Sequence, residues 1–131
     1  MSNNMIETEI VKIFIIKSRQ ERSIYELNNP KCRRNFILGR IERFLDDKRI
    51  LCSIKATNGI SDIVDEVRKH TSEKRCYVMS VTEHNQQIVD FSIAIDEVYC
   101  QGTALLYFPQ SKLLYYEGEP YPSKTPRMLL K

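Results

Sequence analysis

The chain has 131 residues, 42% of them hydrophobic and 28% charged, an ordinary globular balance that excludes a disordered polar chain. This length suits one domain and buries enough core to fold without staples or metals. Twenty basic against 17 acidic residues leave a net charge of +3. The pI of 8.7 is too mild to imply a dedicated nucleic-acid binder, which usually lies above about 9 with its charge gathered on one face.

Residues 1–9 contain neither a basic region nor an apolar core, so they read as a flexible lead-in and not as a signal peptide. Residues 10–17 (IVKIFIIK) are β-branched and nearly continuous in apolar character, which predicts a strand buried on most of both faces. Residues 23–27 (SIYEL) alternate and read as its hairpin partner. Asn29 followed by Pro30 signals a helix start, and the helix runs to about Leu45 with Ile37, Leu38, Ile41, Phe44 and Leu45 facing the core. Residues 50–54 (ILCSI) read as a strand. A second helix opens at residues 57–59; Ile60, Ile63, Val64 and Val67 line one face, and Arg68, Lys69 and His70 suit its negative pole.

Residues 76–82 (CYVMSVT) read as a central strand, followed by a polar loop over 83–87. Asp90 is placed to cap a third helix that carries Phe91, Ala94, Ile95 and Val98 inward and ends with Gly102 as its C′ residue. Residues 103–108 and 113–117 read as a hairpin about a turn at 109–112. Pro120, Pro122 and Pro126 then exclude a helix or an inner strand, so residues 118–131 are expected to form an extended tail. The expected fold is α/β: a single layered domain over residues 1–131, in the order β-β-α-β-α-β-α-β-β. Strand–helix–strand units imply parallel neighbours and the terminal hairpins antiparallel ones, so the sheet is expected to be mixed.

The four glycines, Gly39, Gly59, Gly102 and Gly118, are too scattered for a glycine-rich phosphate loop, and no zinc-protease or serine-hydrolase motif is present. Cys32, Cys52, Cys76 and Cys100 show no local metal-ligand spacing, and only two histidines accompany them. The cysteines read as reduced thiols of a cytoplasmic protein, and no metal or other cofactor is expected. The apolar run over residues 13–16, like every other in the chain, is far short of the roughly 20 residues of a membrane span.

Three surfaces are left as functional candidates. On the first helix, Arg33, Phe36, Arg40 and Arg43 fall within about an 80° sector, a pattern suited to phosphate contacts and base stacking on RNA; the ordinary alternative is a solvated helix face. At the C-terminal ends of the strands, Thr57 at a helix start would meet Glu83 and His84 if the two strands are parallel neighbours, with His84 as general base of a small enzyme; the alternative is a polar surface loop. The third surface is the tyrosine-rich terminal hairpin and tail, where Tyr115, Tyr116 and Tyr121 could anchor a protein partner or a second copy of the chain across an open sheet edge. The leading expectation is a non-enzymatic interaction or regulatory protein using that hairpin, with RNA binding and then a small enzyme as alternatives.

Overall fold

A computed structural model describes residues 2–120 and 125–131. Its elements are α1 (Asn3–Phe14), α2 (Gln20–Asn28), α3 (Pro30–Gly39), α4 (Ile41–Phe44), β1 (Ile50–Ser53), α5 (Ile60–Arg68), β2 (Arg75–Met79), β3 (Ile88–Asp90), α6 (Phe91–Val98), β4 (Ala104–Phe108), β5 (Leu113–Glu117) and β6 (Arg127–Leu130). The strands form one sheet in the order β1-β6-β5-β4-β2-β3.

Alternation along the strands divides the core into two apolar layers. Tyr77, Met79, Leu105, Tyr107, Leu114, Tyr116 and Leu130 point to one face, where they meet α1 to α4 through Ile10, Phe14, Ile37 and Ile41. Cys76, Val78, Leu106, Phe108, Leu113, Tyr115 and Leu129 point to the other, where they meet α5 and α6 through Ile63, Val67, Phe91 and Ile95. The sheet is thus covered on both sides, and β2, β4 and β5 are buried at nearly every position. Each large apolar side chain in such a layer contributes roughly 1.5–3 kcal/mol by leaving water. Phe14 meets Tyr107 edge-on on the first face, and Phe91 meets Phe108 edge-on on the second.

The mixed α and β composition and the layered single domain stand, but the sheet differs in detail from the expectation. Every pairing is antiparallel. The strand–helix–strand unit β1–α5–β2 does bring its two strands back in the same direction, but β6, β5 and β4 are inserted between them. Residues 10–17 are not a strand: residues 10–14 are the end of α1, which Ser2 caps and which buries Ile6, Ile10, Val11 and Phe14 at helical spacing. Residues 3–9, expected to be a loose lead-in, are the first turns of that helix. Residues 23–27 are likewise helical, in α2, where Ser23, Glu26 and Leu27 are buried at i, i+3 and i+4.

The first predicted helix does begin at Pro30 under an Asn29 cap, but it breaks at Gly39 and Arg40 into α3 and α4. After α6 the left-handed residue is Cys100, with φ of 58°, and not Gly102, whose positive φ belongs to the turn that follows. The tail is corrected most sharply. Its last four residues before Lys131 form β6, an inner strand between β1 and β5. Prolines exclude pairing only where they stand, and residues 127–130 lie beyond the last of them. No helix among the described residues is long and apolar enough to cross a membrane.

Candidate functional site

Because β1, β2 and β5 point the same way, their C-terminal ends lie at one end of the sheet, together with the starts of β4 and β6. A cavity of about 750 Å³ opens there, beside the end of β1. Lys55, Ala56 and Thr57 from the loop after β1 line it on one side, Tyr99 and Cys100 from the end of α6 on another, and residues 125–128 with Arg127 on a third. A cavity of this size is large enough to hold a small ligand.

The wall of this cavity is built on a buried ion pair. Glu117 is fully buried at the end of β5, directly opposite Arg127 at the start of β6. Its Oε1 accepts from Arg127 Nε at 3.0 Å and from the Tyr115 hydroxyl at 2.7 Å. Its Oε2 accepts from the backbone N–H of Cys100 at 2.5 Å. Three donors on one carboxylate offset the cost of burying it. Arg127 also stacks over the Tyr99 ring, 4.8 Å from its centroid, and donates from Nη2 to Cys100 Sγ at 3.3 Å. Burial works against the charge of Arg127, but the bond and charge of Glu117 outweigh it and hold the guanidinium pKa above its ordinary value. Burial first, and then the Glu117 carboxylate, push the Tyr115 phenol upward, so it stays a hydrogen-bond donor.

Cys100 sits exposed on this wall with a left-handed backbone, a conformation that glycine and asparagine adopt most easily. A cysteine at such a helix end costs strain that a glycine would avoid, and its thiol is what distinguishes it from a glycine there. Its backbone N–H and its sulfur are both held by the same Glu117–Arg127 pair.

A second polar cluster lies on the loop after β2. His84 Nδ1 is 2.5 Å from Glu97 Oε1 on α6, and Glu97 Oε2 accepts from the His84 backbone N–H at 3.0 Å and from the Thr82 hydroxyl at 2.5 Å. Burial raises the Glu97 carboxyl, but the Thr82 and His84 bonds prevail and leave it below its ordinary value. One residue on, Asn85 accepts from the Ser80 N–H and from Arg33, which is itself forked onto Glu7. The loop is thereby pinned to α6 on one side and to the α1–α3 layer on the other.

The structure places the predicted residues as follows. Thr57 lines the cavity, whereas His84 and the exposed Glu83 belong to the β2 loop. Between β1 and β2 stand four inter-strand spacings, about 19 Å, so Thr57 and His84 do not share a site. Of the basic stripe, Phe36 is fully buried and stacks on Phe44, Arg33 is paired with Glu7, and Arg40 is paired with Glu26 at 2.5 Å. Arg43 stays exposed and Arg40 partly so, but with Phe36 buried the stripe has no free aromatic for stacking on a base. Tyr115 and Tyr116 are core residues on opposite faces of an inner strand and are closed to a partner. Tyr121 lies outside the described residues.

Sequence reasoning missed Glu117, Arg127 and Cys100 as a unit, and Glu97 as the partner of His84. The one sequence signal was a charge at the end of each apolar run, Glu117 after LLYY and Arg127 before MLL. Comparison with known proteins adds nothing to the site: no family model, no curated protein and no solved structure matches the chain.

Proposed function

We propose that the protein binds a small molecule in the cavity beyond β1 and β5, with the Cys100 thiol as its reactive group. The single observation that carries this reading is that one buried ion pair fixes both the amide and the sulfur of Cys100 at the wall of that cavity. Such a thiol adds across an activated carbon–carbon double bond of a bound ligand, the carbon–sulfur bond forming as the π bond opens and the thiol proton passing to the neighbouring carbon. Lys55 and Thr57 on the facing loop are available to orient it. Intact-mass kinetics with a panel of small electrophiles tests the reading. Labelling at Cys100 should saturate with reagent concentration for the shapes the cavity accepts, and Arg127→Lys should slow it. Labelling that stays strictly proportional to concentration for every reagent means an exposed thiol without a binding site, and rejects the proposal.

Protein association is a second reading, favoured by one observation. The strand β1 is an open edge of the sheet and carries Leu51 exposed. Open edges bind other chains by strand addition. Sedimentation of wild type and of Leu51→Lys separates the readings: assembly that is lost on this substitution supports an edge interface, and a concentration-independent monomer rejects self-association there.

A further inference from the structure

On the α5 face of the sheet, at its open edge, a sulfur, a carboxylate and an imidazole converge. Cys52 lies on β1, and the β1–β6 register is interrupted between Ile50 and Cys52. Such irregularities re-aim a side chain, and Cys52 packs into the layer that α5 covers. Glu66 occupies the last turn of α5, and His70 follows one helical turn later, just past the helix end. All three are half-buried, and their ligand atoms lie within 4.8 Å of one another.

The spacing inside the group is informative. His70 Nε2 and Glu66 Oε2 are 3.5 Å apart, longer than a good hydrogen bond. Nitrogen and oxygen ligands held at 2.0–2.1 Å by one tetrahedral zinc are separated by about 3.3 Å. The other oxygen of Glu66, Oε1, faces Lys69 Nζ at 3.4 Å, which leaves Oε2 as a single-point ligand and gives the carboxylate an outer partner.

We propose that Cys52, Glu66 and His70 form a three-ligand site for a divalent transition-metal ion, zinc by preference, with the fourth position open to solvent. Thiolate, imidazole and carboxylate together suit zinc and exclude calcium and magnesium, which take oxygen alone. Glu83, His84 and Glu97 also gather within the same distance, but His84 Nδ1 and Glu97 are already committed to each other and to Thr82. None of Cys52, Glu66 and His70 lines the cavity at Cys100.

The test is a titration of the full chain with cobalt(II) under a phosphine reductant, followed by displacement with zinc. One equivalent should produce a thiolate-to-cobalt charge-transfer band that zinc abolishes. Cys52→Ser should remove the band, and Glu66→Gln and His70→Gln should each weaken binding at least tenfold. Cys100→Ser and His84→Gln should leave it unchanged. Circular dichroism of each variant separates lost ligation from lost fold, and the two substitutions on and after α5 are partly exposed and report even if Cys52→Ser unfolds. Absence of the band in wild type, or an affinity unmoved by His70→Gln, overturns the proposal.

Discussion

Two buried glutamates in this protein are built on the same arginine and tyrosine partners and differ in what those arginines reach. Glu7, on α1, accepts from the Tyr77 hydroxyl at 2.6 Å and from both terminal nitrogens of Arg33 at 2.6 and 2.7 Å. Glu117, on β5, accepts from the Tyr115 hydroxyl at 2.7 Å and from Arg127 Nε at 3.0 Å. Each is a carboxylate neutralised by an arginine and trimmed by a tyrosine. The difference lies in where the arginine's remaining hydrogens go. Arg33 gives one from Nη1 to the Leu27 carbonyl and one from Nη2 to Asn85, tying the helical layer to the β2 loop, while its Nε–H has no partner. Arg127 gives one to a thiol that faces a cavity. Burial and a raised phenol do not by themselves mark a site, since burial pushes up both Tyr77 and Tyr115; the direction of the leftover donor separates scaffold from chemistry.

The largest test of that comparison removes Arg127 with its strand. Deleting residues 125–131 takes out β6, opens β1 and β5 together and leaves Glu117 buried without its cation. The truncated chain is expected to be insoluble or unfolded, as judged by the soluble fraction and near-ultraviolet dichroism. A soluble, cooperatively folding truncation would mean that β6 is not part of the core. Next in size are the carboxylates themselves. Glu117→Gln breaks a fully buried pair and should cost about 3–5 kcal/mol in urea unfolding. Glu7→Gln should cost less, about 1.5–3 kcal/mol, because Arg33 keeps Leu27 and Asn85 as partners. Equal costs would remove the distinction between the two clusters.

Neither cluster was legible in the sequence, and the reason is physical. Glu7 joins Arg33 and Tyr77 across 26 and 70 positions, which only the packing of α1 on α3 and the sheet brings together; Glu117 joins Tyr115, Arg127 and Cys100 across 2, 10 and 17 positions, but the pairing of β5 with β6 that makes this cluster is hidden when residues 118–131 are read as a tail. What was legible is local: the Asn29–Pro30 helix start, the apolar face of α5, the strands β1, β4 and β5 and the turn between the last two. Two local signals misled. In residues 10–17 the apolar run is so dense that helical and strand spacing both fit it, and the helical register shows only once Ile6 upstream is included. In residues 23–27 the alternating pattern treats Glu26 as exposed, whereas Arg40 allows it to be buried. The proposed metal ligands share the same limit. Glu66 and His70 stand at helical i, i+4 spacing, but Cys52 joins them only through the contact of β1 with α5.

The tyrosine hydroxyls give a finer version of the comparison. Tyr115→Phe and Tyr77→Phe each remove one of several donors to a buried carboxylate, so each should cost about 1 kcal/mol, well below the loss of the carboxylate. A double-mutant cycle of Tyr115→Phe with Glu117→Gln should show coupling above about 0.5 kcal/mol, because the two groups share one bond. In Cys100 labelling, Tyr115→Phe should have a smaller effect than Arg127→Lys, since only the arginine touches the sulfur.

The smallest expected effect concerns a carboxylate outside both clusters, and it fixes the sign of the acid response. Glu97 is held below the ordinary carboxyl value of 4.5, burial being outweighed by its bonds from Thr82 and His84. The unfolded chain therefore binds the Glu97 proton at a higher pH than the folded one. Its contribution is complete above 4.5 and declines as the pH falls through the lower folded value. Glu9 has the same sign: the Tyr107 hydroxyl lowers it most, with Lys112 adding to that against burial. Unfolding free energies measured by urea between about pH 3 and 7 should then fall on the acid side. Glu97→Gln should flatten that fall, and Glu9→Gln should flatten it independently, because the two groups share no partner. Glu97→Gln should also loosen the β2 loop, seen as faster amide exchange at His84, whose N–H it holds, and leave Cys100 labelling unchanged. A variant that keeps the full acid slope would show that the Glu97–His84 contact contributes nothing to folding, and a change in Cys100 labelling would show that the β2 loop and the cavity beside β1 are coupled across the sheet.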